Sequence, residues 1–190
     1  MSSKIKHLMT TADLQAIPYN EWHQYELIEG ELYVSFTAHI PHQLVLGNLS
    51  YSLGIYLQHN PIGIVVPRPG VILSDYDSVI PDIVFVSNER KAGIIANEYF
   101  IAVPDLVIEI IWPTPGSRSR DLKTKRKLYG KYRVREYWVV DIRSQSLIIF
   151  RLEESTLRQL TTLRKNDTLE SPLFPEFSLS LSVIFNGIAV

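Results

Sequence analysis

Two short runs near the start of the chain combine apolar and polar positions in the way that strands do. They cover residues 25–28 and 31–36, and Glu29-Gly30 lies between them. A short connection that contains glycine between two such runs predicts a β-hairpin with its turn at Glu29-Gly30. Before the hairpin, Thr10 or Thr11 can cap a short helix that ends near Pro18.

A helical repeat follows the hairpin. Val45, Leu49, Leu53 and Tyr56 recur at spacings of four, four and three residues. This spacing places the four side chains on one face and predicts an amphipathic helix over 41–59.

The middle and the end of the chain are rich in apolar, β-branched runs separated by polar turns. These runs predict strands over residues 63–67, 71–73, 80–86, 105–111, 135–140, 145–152 and 157–163. Helical spacing returns over 119–133, and 179–185 fits either a strand or one helical turn. An early helix, a β-rich middle, a further helix and more strands together predict an α/β (α+β) fold, in which helices pack on a sheet.

Length and composition set further bounds. A chain of 190 residues with 46% apolar residues suits a single domain over 1–190. No run approaches the roughly 20 apolar residues of a membrane span, and residues 1–7 lack the apolar stretch of a secretory signal. We therefore expect a cytoplasmic protein without a membrane partner. The absence of cysteine excludes disulfides, thiolate metal ligands and a cysteine nucleophile.

Basic residues are unevenly distributed, although the formal net charge is only -1. In the segment 118–135 a single acid, Asp121, opposes nine basic residues. These are Arg118, Arg120, Lys123, Lys125, Arg126, Lys127, Lys131, Arg133 and Arg135. Such a segment can hold a polyanion locally. It can equally be a solvated helix face, since exposed lysine and arginine are normal.

Glu109 is an acid inside an apolar run, 106–111, which lies between Pro104 and Pro113. Such runs are usually strands buried on both faces. A carboxylate buried there costs several kcal/mol unless a cation or hydrogen-bond donors compensate it. A structural salt bridge, a carboxylate at a strand edge that faces water and a functional carboxylate would each explain Glu109.

Asp82 follows Pro81 at the start of another apolar run, and a proline suits the first position of a strand. An aspartate often ends a strand or turn, so Asp82 alone is weak evidence. Together with Glu109, however, it can place two carboxylates at one end of a sheet. Hard divalent cations such as Mg²⁺ favour oxygen ligands of this kind.

Lys125 lies on the apolar face of the helix predicted over 119–133. Leu122, Lys125, Tyr129 and Tyr132 are spaced three, four and three residues apart and share that face. The lysine can extend to the edge of the apolar stripe and reach water. Alternatively, its ammonium group faces the two carboxylates, where it would orient a water molecule or neutralise charge on a phosphate.

Several motifs together resemble one known family. They are Pro81-Asp82, the acid that ends Pro-Asp-Leu-Val-Ile-Glu at 104–109, and the stretches 120–129 and 134–141, with further likeness at 25–31 and 171–175. In their order and spacing they resemble the Uma-two family of restriction endonucleases, within the PD-(D/E)XK nuclease superfamily. The resemblance covers nearly the whole chain.

The resemblance implies a restriction-endonuclease-like mixed β-sheet flanked by helices, with additional N- and C-terminal antiparallel strands. It implies that Asp82 and Glu109 lie on central strands and bind Mg²⁺ or Mn²⁺. The superfamily usually has a lysine two residues after the second acid, where this chain has Ile111. Lys125, on the following helix, is the replacement that the family resemblance indicates.

The resemblance also implies an additional N-terminal acid near the site. Glu31 is the candidate, and Glu29 competes with it. The residues expected to contact nucleic acid are Arg118, Arg120, Arg126, His42 and Gln43. For His42, an ordinary half-buried histidine is the alternative.

These observations predict a Mg²⁺- or Mn²⁺-dependent endonuclease that hydrolyses phosphodiester bonds of nucleic acid, with DNA as the expected substrate. The ion would polarise the phosphoryl oxygen and lower the pKa of a bound water, and Lys125 would assist that water. The alternative is a catalytically silent nucleic-acid-binding or metal-binding module, which the near-neutral net charge favours. A glycosidase with paired carboxylates leaves Lys125 without a role. The Tyr- and Trp-rich strand segments are compatible with a homodimer.

Overall fold

The computed structural model describes residues 8–18, 20–36, 39–96, 99–111 and 119–188. The strands in chain order are β1 (His23–Ile28), β2 (Glu31–Phe36), β3 (Gly63–Pro67), β4 (Val71–Ser74), β5 (Asp77–Val79), β6 (Ile83–Ser87), β7 (Ile95–Ala96), β8 (Tyr99–Phe100), β9 (Leu106–Ile111), β10 (Glu136–Asp141), β11 (Ser146–Glu153), β12 (Thr156–Arg164), β13 (Thr168–Ser171) and β14 (Phe174–Ser180). The helices are α1 (Thr11–Gln15), α2 (Ile40–His59), α3 (Asn88–Lys91), α4, which is π-helical over Arg120–Lys125 and α-helical over Arg126–Lys131, and α5 (Leu181–Ile184).

The strands form three sheets. The core sheet has the order β12-β11-β10-β9-β6-β3, the N-terminal sheet has the order β2-β1-β5-β4-β8-β7, and β13 pairs with β14. In the core sheet β9 and β10 are parallel, and their neighbours pair antiparallel. Parallel strands need a long crossover connection, and α4 lies in the connection between β9 and β10. The core sheet is therefore mixed, with its parallel pair at the centre.

The two central strands are buried along their whole length, so the core sheet has an apolar layer on each face. On one face, Ile108 and Trp138 belong to a cluster with Leu49 of α2. On the other face, Val107 and Val139 belong to a cluster that α4 and the N-terminal sheet complete. Because side chains alternate along a strand, Glu109 lies on the same face as Val107, toward α4.

The predicted fold class is confirmed, because the structure combines mixed and antiparallel sheets with flanking helices and has additional strands at both ends. The predicted hairpin is present. Glu29 and Gly30 form its turn with φ angles of 50° and 75°, as a tight two-residue hairpin turn requires. The predicted helix over 41–59 corresponds to α2, and Thr10 caps α1.

Other boundaries were predicted wrongly. The strand expected over 80–86 begins only at Ile83, because Pro81 has no backbone N–H and the Ile80 amide donates to Glu26 instead. Residues 179–185, for which either a strand or one helical turn was predicted, contain both. The strand β14 ends at Ser180, and the helix α5 begins at Leu181.

Within the described ranges, none of the helices has both the length and the apolar character that crossing a membrane requires.

Candidate active site

Glu109 lies in the middle of β9 and is only 5% exposed. Its Oε1 atom accepts two hydrogen bonds, one from Lys125 Nζ and one from the Tyr129 hydroxyl, each 2.8 Å long. Both donors come from α4, which packs on this face of the core sheet. The acid that is out of place in an apolar strand is therefore compensated by a cation and a neutral donor.

Lys125 is buried to 1% exposure, so its side chain does not extend to water. Besides Glu109, its ammonium lies 2.8 Å from Glu26 Oε1 of β1 and 3.9 Å from Asp121 Oδ1 of its own helix. Lys125 thus joins the core sheet, the N-terminal sheet and α4 at one point. The interpretation that this lysine merely reaches the edge of the stripe was wrong.

Asp82 lies directly before β6, beside Glu109. The antiparallel register pairs Ile83 with Ile108, and the next position along that register brings Asp82 to Glu109. Its Oδ2 atom accepts a 2.7 Å hydrogen bond from the Ile110 amide, and its Oδ1 atom is 3.1 Å from His42 Nε2. The two acids singled out in the sequence are therefore neighbours across two strands.

The cluster contains more negative than positive charge. Its buried carboxylates are Glu26, Asp82, Glu109 and Asp121, and its cations are Lys125 and Arg120. Burial raises the pKa of Glu109. Lys125 lowers it again, and Asp121, Asp82 and Glu26 raise it, with a net result of about 8. Burial alone would lower the pKa of Lys125, but Glu109 and Glu26 outweigh burial and raise it, so the ammonium stays charged.

The chemistry of the cluster fits a hard divalent cation. Its donors are carboxylate oxygens, the ligands that Mg²⁺ and Mn²⁺ favour. The buried Asp121 Oδ1 atom has no hydrogen-bond partner among the described residues, and the cluster holds more carboxylates than cations. No three His, Asp or Glu side chains in the described ranges are grouped closely enough to hold a metal by themselves. Asp82 and Glu109 would therefore hold the ion together with water, as Mg²⁺ sites commonly do.

Comparison with known proteins decides the family. The sequence pattern of Uma2, described as "Putative restriction endonuclease", matches residues 11–182. The chain belongs to the Uma2 family. Among solved structures, it is similar to the crystal structure of "a putative nuclease belonging to DUF820 from Anabaena variabilis ATCC 29413", with a TM-score of 0.76 and 20% identity over 93% of this chain and 97% of that one. At this identity the likeness concerns the fold. Among curated proteins, none matches the chain.

The N-terminal acid of this Uma2 protein's cluster is Glu26, which sequence reasoning missed. Its Oε1 atom accepts from Lys125 and from the Ile80 amide, and the residue is 2% exposed. A usable signal was present, because Glu26 stands between Tyr25 and Leu27 in a strand, much as Glu109 stands within β9.

The structure places both Glu31 and Glu29 outside the cluster. Glu31 is exposed at the start of β2, with Oε2 3.4 Å from the Tyr33 hydroxyl. Glu29 lies in the hairpin turn and forms an exposed ion pair with Lys127 at 3.0 Å. Both residues come after the buried second half of β1, at a point where the chain has turned away from the core.

The residues expected to contact nucleic acid are dispersed. His42 at the start of α2 is half-buried and contacts Asp82, and the neighbouring Gln43 is exposed. Arg120 lies 3.5 Å from Asp121 Oδ1 and so borders the cluster. Arg126 faces away from it, with its guanidinium 5.2 Å from the Phe150 ring centre. Arg118 lies outside the described residues.

Proposed function

We propose that this Uma2 protein is a Mg²⁺- or Mn²⁺-dependent endonuclease of the PD-(D/E)XK type that hydrolyses phosphodiester bonds, with DNA as its expected substrate. One observation carries the proposal. Lys125 and Glu109 are buried together at 2.8 Å, beside Asp82 and with excess negative charge around them. A purely structural ion pair does not need the three further carboxylates Glu26, Asp82 and Asp121 next to it, whereas a cation site can use them.

In this proposal Asp82 and Glu109 would hold the ion, which when bound would supply polarisation of a phosphoryl oxygen and a water of lowered pKa. The Ile110 amide and His42 fix the orientation of the Asp82 carboxylate. The Tyr129 hydroxyl fixes Glu109 through Oε1. Lys125, held between Glu26 and Glu109, supplies a permanent positive charge where negative charge develops on the phosphate.

A second function is favoured by the same contacts. His42 already contacts Asp82, and Lys125 already contacts Glu109, so each acid has a cationic or donor partner without an added ion. A cluster satisfied in this way would suit a catalytically silent nucleic-acid-binding module. Turnover distinguishes the two functions, since both would bind nucleic acid.

The purified chain should be incubated with supercoiled plasmid, linear duplex DNA, single-stranded DNA and RNA, each with Mg²⁺, with Mn²⁺ and with EDTA. We expect cleavage of at least one DNA substrate with a divalent ion and none with EDTA. Binding without cleavage of any substrate under any condition would support the silent module. Cleavage that persists in EDTA would contradict metal dependence.

A further inference from the structure

A second polar surface lies on α4, on the side that faces away from the carboxylate cluster. It runs between α4 and the β11–β12 hairpin as two adjoining cavities of about 460 and 190 Å³, and both cavities are bordered by Lys123 and Arg126. We call this surface the basic groove. The polar side chains that line it include Lys123, Arg126, Lys127, Thr156, Gln159 and Thr162.

The basic groove is positively charged in a protein with a formal net charge of -1. Its described lining contains three basic side chains and no Asp or Glu. Lys127 forms an ion pair with Glu29, but both side chains are more than half exposed, so this pair neutralises the surface only weakly. Lys123 and Arg126 form no ion pair with any described residue. Their charges are therefore available to a ligand.

Arg126 is held in place before any ligand arrives. Its guanidinium packs 5.2 Å from the centre of the Phe150 ring. An aromatic contact of this kind orients a guanidinium without using its N–H groups on a protein acceptor. Arginine presents these donors in a planar fork that matches the geometry of phosphate oxygens. The hydroxyl groups of Thr156 and Thr162 add neutral donors along the groove.

The basic groove and the carboxylate cluster lie on opposite sides of α4. Lys125 and Tyr129 point inward to Glu109, whereas Lys123 and Arg126 border the groove. The diameter of a helix is about 10 Å, or about three nucleotide steps at roughly 3.4 Å per step. A nucleic-acid strand with one phosphate at the cluster would therefore reach the groove within a few nucleotides.

We propose that the basic groove binds the phosphodiester backbone of the nucleic acid a few nucleotides from the bond at the carboxylate cluster. The inference rests on the proposed function, which supplies nucleic acid as the ligand. Its test measures binding and does not require cleavage. The ligand class follows from the charged and polar part of the lining, because an extended polyanion satisfies dispersed cations and hydroxyl donors.

Binding should be measured in EDTA by fluorescence anisotropy with a short labelled DNA duplex, a single strand of the same sequence and the matching RNA. The variant Lys123→Gln/Arg126→Gln removes two charges from the groove. The control Lys91→Gln/Lys165→Gln removes two exposed charges elsewhere. We expect the groove variant to bind at least about tenfold more weakly, with the slope of log affinity against log salt shallower by about 0.9 per lost contact. The control should match wild type.

Arg126→Lys and Lys123→Gln alone protect the test against a folding defect. Arg126→Lys keeps the charge and should retain most of the salt slope, and Lys123→Gln disturbs no aromatic contact. Equal affinity and equal slope for the groove variant and the control would overturn the proposal. It would also be overturned if wild type bound none of the three probes. Groove-dependent binding without cleavage would contradict only the nuclease function. Cleavage with groove-independent binding would contradict only the groove.

Discussion

The ammonium of Lys125, carried by α4, lies 2.8 Å from Oε1 of Glu109 in the middle of β9. Sixteen residues separate the two positions in the chain. Ile111, two residues after the acid, is an apolar residue buried in the core. The connection between the parallel strands β9 and β10 thus brings a lysine of α4 against the acid of β9.

The Tyr129 hydroxyl should matter for activity more than for stability. Tyr129→Phe removes the 2.8 Å hydrogen bond to Glu109 and is expected to reduce kcat several-fold, because the carboxylate loses one of its two fixed donors. The loss of stability should be about 1 kcal/mol. Tyr137→Phe is a matched control, since this buried hydroxyl donates at 3.0 Å to the Asp121 backbone carbonyl instead. Steady-state kinetics and thermal unfolding of both variants test this. An equal loss of kcat in both would show that Tyr129 acts only structurally.

Asp77 should make stability depend on pH. Its carboxylate accepts from the Glu29 amide at 2.7 Å, from Lys131 Nζ at 2.9 Å and from the Tyr132 hydroxyl at 2.6 Å. Burial alone would raise the pKa of Asp77, but these donors together lower it below its ordinary value. Asp77 therefore stabilises the fold above the pKa of the unfolded chain, and this contribution is lost as the pH falls through the lower folded pKa.

We expect Asp77→Asn to lower the free energy of unfolding at pH 7 by about 1–3 kcal/mol. The difference from wild type should shrink as the pH falls below about 4. Urea unfolding of both proteins, followed to the lowest pH at which both fold, measures the difference. A difference that does not change with pH would mean that the carboxylate charge is not what stabilises these contacts.

The part of the site that was found from the sequence consists of charges in apolar surroundings. Glu109 lies inside an apolar run, Asp82 lies at the start of another, and Lys125 lies on the apolar face of a helix. The structure brings the three together. Glu26 was missed because only the second half of β1 is buried, so the strand has too short an apolar run to make its acid conspicuous.

The pairing of the strands could not be predicted from local patterns in the sequence. The contact between Glu26 and Lys125 depends on how the N-terminal sheet packs against α4, and no spacing within the chain determines that. The π-helical start of α4, over Arg120–Lys125, was likewise predicted only as a helix. Such turns are often associated with functional sites, and this one carries both Asp121 and Lys125 into the cluster.

Glu136 should stabilise the attachment of the C-terminal strands. It is 2% exposed, and it accepts from Arg151 Nε at 2.9 Å, from Trp138 Nε1 at 2.9 Å and from the Ser171 hydroxyl at 2.8 Å. Glu136→Gln removes the buried acceptor charge to which Arg151, Trp138 and Ser171 donate, and should lower the free energy of unfolding by about 1–3 kcal/mol.

Glu153→Gln is the control for Glu136→Gln. Glu153 also pairs with an arginine, Arg158, at 3.3 Å, but both side chains are more than half exposed. Exposed pairs contribute little to stability, so this variant should unfold close to wild type. Chemical denaturation compares the two. A small effect of Glu136→Gln, similar to that of Glu153→Gln, would show that the buried network does not hold the C-terminal hairpin.

The most direct test of the proposed site is nicking of supercoiled plasmid with Mg²⁺ or Mn²⁺ by wild type, Glu109→Gln and Lys125→Ala, each shown by circular dichroism to be folded. Lys91→Gln, at an exposed lysine outside the cluster, is the control. If Glu109 and Lys125 form the active centre, wild type and the control nick the plasmid with either ion, and both site variants lose at least about a hundredfold of that activity. Nicking by the folded site variants at the wild-type rate would contradict the assignment.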